Sequence, residues 1–283
     1  RLAPATLREK PFVFLHFSKC AGTSLVSSLA YLGHAHFSLG LPPTLPTAVA
    51  CGAVPAKCCW WRERLHNFSR RGVHPKILTL EPANDEAFAV DPGFDAARDF
   101  CVNDLTYLTV LRPPVARLHS HMCEVGVNFE QWQEPARARH HRAKVQLRDN
   151  YYVRSLGGPA AWGVPEGGLT RSHLLAAARA LSRFDVVMTV ATLSRDAPIQ
   201  MARVGLPNFQ WRHARYRSRQ DNLERARVEP ALQMDGGPSC DVPPTAAQVR
   251  RLVAACQWDA VLYEYARLIA ARRTELWSQR ASR

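Results

Sequence analysis

An α/β fold with a central, mainly parallel sheet flanked by helices is what this sequence predicts, and three observations predict it. Short apolar, β-branched runs recur along the chain. Segments with apolar residues at helical spacing follow them, and clusters of Gly, Pro and polar residues divide the two kinds of segment. Strands that alternate with helices are joined by crossovers, and crossovers make neighbouring strands parallel.

Residues 11–17 form the first apolar and aromatic run, expected as a buried strand, and residues 18–22 turn out of it. From Thr23 a helix is expected, because Leu25, Leu29 and Leu32 share one face and Gly33 stops the pattern. Residues 40–72, rich in Pro, Gly and Cys, read as an irregular insert. Residues 76–80 are the second strand and 105–111 the third, with a helix starting at the prolines that follow. A basic stretch at 137–148 precedes a helix over 150–156, and 157–168 read as a loop. A helix over 171–182 leads to a fourth strand at 184–190 and a helix over 193–204. Residues 207–244 are polar and Arg-rich, a second insert, and helices near 245–255 and 258–276 close the chain. There is no internal repeat.

A chain of 283 residues suits one domain carrying these two inserts. Its 47% apolar and 22% charged residues are those of an ordinary globular protein, which excludes a disordered or fibrous chain. The excess of 37 Lys and Arg over 24 Asp and Glu makes polyanions the natural partners: nucleic acid, anionic glycans or phosphorylated nucleotides. Eight cysteines without a CxxC pair argue against a zinc ribbon. Their even number, with a glycosylation sequon at Asn67-Phe68-Ser69, points to the secretory pathway. No apolar run reaches the roughly 18 residues of a membrane span.

The chemistry concentrates in two segments. The first strand runs into His16-Phe17-Ser18-Lys19-Cys20-Ala21-Gly22-Thr23-Ser24-Leu25, where a helix begins. Such a strand-turn-helix aims backbone N–H groups and the positive helix end at one spot, while Lys19 adds a mobile charge. This is P-loop-like equipment for a terminal phosphate, although GxxxxGK[ST] is absent because the Lys precedes the Gly. The competing local reading is a capped helix with a solvated Lys19. The third strand ends in Leu111-Arg112-Pro113-Pro114, and Ser120 lies about two helical turns on. Arg112 thus sits where open α/β sheets bind their ligands, beyond the carboxyl ends of the strands.

Together the two segments resemble the sulfotransferases that use 3′-phosphoadenosine 5′-phosphosulfate (PAPS), in particular the carbohydrate branch with the heparan sulfate 2-O- and 6-O-sulfotransferases. The loop His-x-x-Lys-x-x-Gly-Thr-Ser of that branch is met by His16, Lys19, Gly22, Thr23 and Ser24. Its Leu-Arg-x-Pro-x-x-Arg-x-x-Ser motif is met by Leu111, Arg112, Pro114, Arg117 and Ser120. Weaker echoes lie at Asn150–Leu156, Phe184–Val187 and Trp258–Ala266. Cys20 stands where Thr or Gly is commoner, and Pro113 where Asp is.

The resemblance implies a P-loop-like fold, PAPS as co-substrate and no metal. It implies that Lys19, Cys20, Ala21, Gly22, Thr23, Ser24 and Leu25 hold the 5′-phosphosulfate side, and that Arg112 and Ser120, with Arg154, complete the cofactor site. Lys19 would also act on the bridging oxygen. Related enzymes place a Glu or His base near the strand between the two motifs, so Glu81 is the first candidate, with His74 and Glu86 in reserve and His34 and His36 after them. A carbohydrate acceptor, neutral or anionic, and a Golgi lumen location are what the same likeness implies, and a Golgi anchor would precede Arg1. Two other readings stand beside it. A P-loop small-molecule kinase would need the missing Gly-Lys pair, and a non-catalytic polyanion-binding protein would explain the charge but neither motif.

Overall fold

The computed structural model describes residues 10–31, 36–38, 77–80, 93–96, 99–125, 129, 132, 145–211 and 244–281. Five strands, β1 (Phe12–Leu15), β2 (His36–Ser38), β3 (Ile77–Leu80), β4 (Thr106–Leu111) and β5 (Val186–Thr189), form one sheet in the order β2-β3-β1-β4-β5. All four pairings are parallel. The chain is therefore α/β, as the alternation of segments predicts. β2 is an addition to the four expected strands. Its three residues are too short for any periodicity, and pairing with β3 defines it.

β1, β4 and β5 are buried along their whole lengths, which is why they read as continuous apolar runs. Phe12 and Phe14 of β1 point to one face with Leu108, Val110, Val186 and Met188. Helices α1 (Gly22–Tyr31) and α7 (Leu193–Arg203) cover that face through Leu25, Leu29, Leu193 and Met201. Val13, Leu15, Tyr107 and Leu111 point to the other face, against α4 (Tyr151–Leu156), α6 (Arg171–Ser182) and α9 (Gln257–Ala281). The remaining helices are α2 (Pro114–Val125), α3 (Val145–Arg148), α5 (Gly158–Trp162) and α8 (Ala246–Ala255). The one-turn α5 interrupts the loop expected over 157–168, because Pro159 is pre-set for a first helical turn. Residues 40–72 and 212–243, the bulk of the two inserts, lie outside the described residues.

Short α4 is fixed at its start by an exchange of caps. Asn150, at φ 50°, turns its side chain away from its own helix. Its Oδ1 accepts from the amides of Trp258 (2.8 Å) and Asp259 (3.1 Å) at the start of α9. In return the Asp259 carboxylate accepts from the amides of Tyr152 (3.1 Å) and Val153 (2.9 Å). Each helix thereby has two of its orphan amides satisfied by the other.

Asp259 is fully buried, and burial pushes its carboxyl up to about 7 despite the two amides. The folded chain holds this proton more tightly than the unfolded chain, whose aspartates titrate near about 3.9. Its contribution to stability is thus complete below about pH 4 and is lost as pH rises through the folded value. In Asp259→Asn the urea midpoint should change less between about pH 4 and 8 than in the wild type. Equal pH slopes in the two proteins would refute the assignment.

Candidate functional site

β1 and β4 are neighbours, but the chain leaves them in opposite directions, to β2 on one side and β5 on the other. A crevice opens at such a reversal, beyond the carboxyl ends of the two strands. Both motif segments lie there. The Thr109 hydroxyl of β4 donates to the Leu15 carbonyl at 2.9 Å and ties the two strand ends together.

The first segment makes a tight turn, with the Cys20 amide donating to the Phe17 carbonyl at 3.1 Å. Lys19 (φ 67°) and Ala21 (φ 61°) both adopt the left-handed conformation, which non-glycine residues enter at a cost. The first bond of α1 runs from the Leu25 amide to the Ala21 carbonyl at 3.0 Å, so the amides before it open towards the turn. Gly22 is required by its neighbour: a Cβ there would lie 1.9 Å from His16 Nε2. The His16 ring itself stacks on Phe14 at 5.3 Å.

Within this turn the side chains divide. Lys19 and Ser24 are half-buried, whereas Cys20 and Leu25 point into the core. Cys20 and Leu25 can serve a ligand only through their backbones. Burial pushes the Cys20 thiol up to about 11, so it stays protonated, and its Sγ meets the Tyr152 hydroxyl at 3.1 Å.

The second segment carries half-buried Arg112 straight out of β4, and α2 begins two residues later at Pro114. Arg112 Nη1 reaches the Lys19 carbonyl at 3.4 Å, so the two motifs meet. The Arg112 backbone is held from the other side. The Tyr152 hydroxyl accepts from its amide (3.1 Å) and donates to its carbonyl (2.8 Å). Ser120, half-buried, lies on α2 two turns beyond. Arg117 of the same helix is buried, donates to the Leu147 carbonyl and lies over the Tyr151 ring at 4.9 Å.

Arg154 is a correction. Expected among the cofactor contacts, it is fully buried and spends its guanidinium on the protein. It pairs with Asp149, and it donates to the carbonyls of Asp149 (2.7 Å), Val164 (2.5 Å) and Pro165 (3.1 Å), with longer bonds to Ala161 and Trp162. A guanidinium so consumed pins α4 to the 161–165 segment and has nothing left for a nucleotide.

Of the remaining expected residues, Thr23 lies in α1 and His36 in β2. Glu81, His74, Glu86 and His34 lie outside the described residues, as does Asn67. Sequence reasoning missed Tyr152 and Asp259. The signal was the Asn150-Tyr151-Tyr152 run, whose two aromatic residues open a buried helix rather than merely packing one. Among the described residues no group of three or more His, Cys, Asp or Glu is placed to hold a metal ion. None of their helices is long and apolar enough to cross a membrane. No known family model and no curated protein sequence matches the chain.

Gly22→Ala should force the His16 ring off Phe14 and cost about 1–3 kcal/mol, the usual size of overpacking. Adding His16→Ala to that variant should recover most of the loss, read as coupling in urea unfolding. An equal cost with and without His16 would place the constraint elsewhere.

Proposed function

We propose that this chain is a PAPS-dependent sulfotransferase on a P-loop-like fold, with a carbohydrate hydroxyl as acceptor. The observation that carries this reading is the 3.4 Å approach of Arg112 Nη1 to the Lys19 carbonyl. It brings two cationic motifs, 93 residues apart in sequence, to one crevice at the point where the sheet order reverses. A ligand with phosphate groups at two positions suits such a site, and a 3′-phosphorylated nucleotide is that kind of ligand.

In this reading the amides at the start of α1 and the Lys19 ammonium hold the 5′-phosphosulfate, and Arg112 with Ser120 holds the 3′-phosphate. The acceptor oxygen attacks sulfur in line while the bond from sulfur to the 5′-phosphate oxygen breaks. The acceptor proton passes to a base, for which Glu81 is the first candidate. Adenosine 3′,5′-bisphosphate departs, its new charge met by Lys19 and the helix end. Positioning and fixed electrostatics thus supply the catalysis, as in phosphoryl transfer.

The net charge of +13 suits an anionic glycan as acceptor. Cys101 is disulfide-bonded, which suits an oxidising compartment such as the Golgi lumen.

Adenosine 3′,5′-bisphosphate should raise the melting temperature without divalent metal, and Arg112→Ala should weaken its binding by about 2–3 kcal/mol. Stabilisation by ATP only with Mg²⁺ would replace this reading by a kinase. Glu81→Gln should lower kcat by about 10²–10⁴-fold while leaving bisphosphate affinity intact. Retention of more than about a tenth of kcat would move the base to His74 or Glu86.

A further inference from the structure

Tyr152 touches both motif segments through one atom. A tyrosine hydroxyl has one proton to give and two lone pairs to offer. Its proton goes to the Arg112 carbonyl (2.8 Å), and one lone pair takes the Arg112 amide (3.1 Å). The Cys20 thiol at 3.1 Å then supplies the remaining partner as an S–H donor, so every site on the hydroxyl is used. Both side chains are fully buried. Burial holds the Tyr152 hydroxyl well above its ordinary range and the Cys20 thiol at about 11, so neither ionises near neutral pH and the pattern persists.

The ring cannot easily turn away. Phe17 packs edge-on against it at 4.8 Å, and Asp259 holds the Tyr152 amide. A buried tyrosine usually finds one partner for its hydroxyl. This one binds both backbone groups of Arg112 and a side chain from the turn opposite.

We propose that Tyr152 is a positioning residue whose hydroxyl sets the Arg112 turn against the Lys19–Ala21 turn, so that both present their cations to one nucleotide. The proposal deepens the sulfotransferase reading and rests on it. The guanidinium of Arg112 is aimed from a backbone that Tyr152 fixes, and its own contact with the Lys19 carbonyl closes the bridge.

The test is Tyr152→Phe in the full chain, which keeps the ring and removes only the hydroxyl. Affinity for adenosine 3′,5′-bisphosphate should fall about tenfold, the scale of one or two lost hydrogen bonds. Affinity for adenosine 5′-monophosphate, which lacks the phosphate that Arg112 meets, should fall by a smaller factor. In an Arg112→Ala background the loss of the hydroxyl should change bisphosphate affinity less than about twofold, since the two act as one unit. Wild-type affinity in Tyr152→Phe, or an undiminished tenfold factor in the Arg112→Ala background, overturns the proposal.

Hydrogen exchange separates this from the fate of the functional reading. If the wild-type chain binds no bisphosphate, the sulfotransferase reading falls. The tie is then judged on the Arg112 amide, which should exchange faster in Tyr152→Phe; an unchanged rate there sinks it. Should Tyr152→Phe not fold, Cys20→Ala removes one of the three partners and should lower bisphosphate affinity about twofold. No change in that variant counts against the tie.

Discussion

Asn150 and Asp259 each cap the helix to which the other belongs, and the site depends on that exchange. α4 has only six residues, too few to hold its shape by its own hydrogen bonds. Its order is imposed from outside: by Asp259 at its first amides, by the Asn150 amide on the Ala255 carbonyl (3.1 Å), and by Arg154 on Asp149 and the 161–165 carbonyls. Removing one partner from such a buried set leaves the other uncompensated, which costs far more than the pair contributes. α4 is therefore a rigid piece despite its length, and a rigid piece can aim a hydroxyl.

That rigidity offsets strain elsewhere. Two left-handed residues flanking Cys20, neither of them glycine, cost on the order of 1–3 kcal/mol each. The turn persists because Cys20 and Phe17 are locked in the core and the His16 ring closes over Gly22. A conformation unfavourable by itself is thus over-determined by its surroundings. The apolar anchors lie beneath the turn, leaving half-buried Lys19 towards the crevice end of the sheet.

Much of this architecture was legible in the sequence because it is local. β1, β3, β4 and β5 announce themselves as apolar runs, and the 171–182 segment carries its helical pattern from end to end, matching α6. The two motif turns could be placed because strand, turn and helix follow one another directly. What escaped is long-range. Tyr152 meets Cys20 across 132 residues and Arg112 across 40, and Asp259 meets α4 across 106 and 107. No spacing rule reaches that far. Arg154 misled for the opposite reason: its setting resembles a family helix, but an arginine pattern cannot show whether its guanidinium faces solvent or the 161–165 carbonyls. β2 eluded detection because three residues carry no period.

The cysteines also divide the molecule by redox chemistry. Cys101, just ahead of β4, is oxidised, while Cys20 and Cys256 remain thiols in the core. Exchange proceeds through the thiolate, and burial pushes Cys20 to about 11 and Cys256 to about 12. Neither can readily attack the Cys101 bridge once the chain has folded. Mispairing that involves Cys20 or Cys256 must therefore happen earlier, while those two are still open to solvent. The order of events, core closure before or after oxidation, then decides whether these two thiols are drawn into non-native bridges.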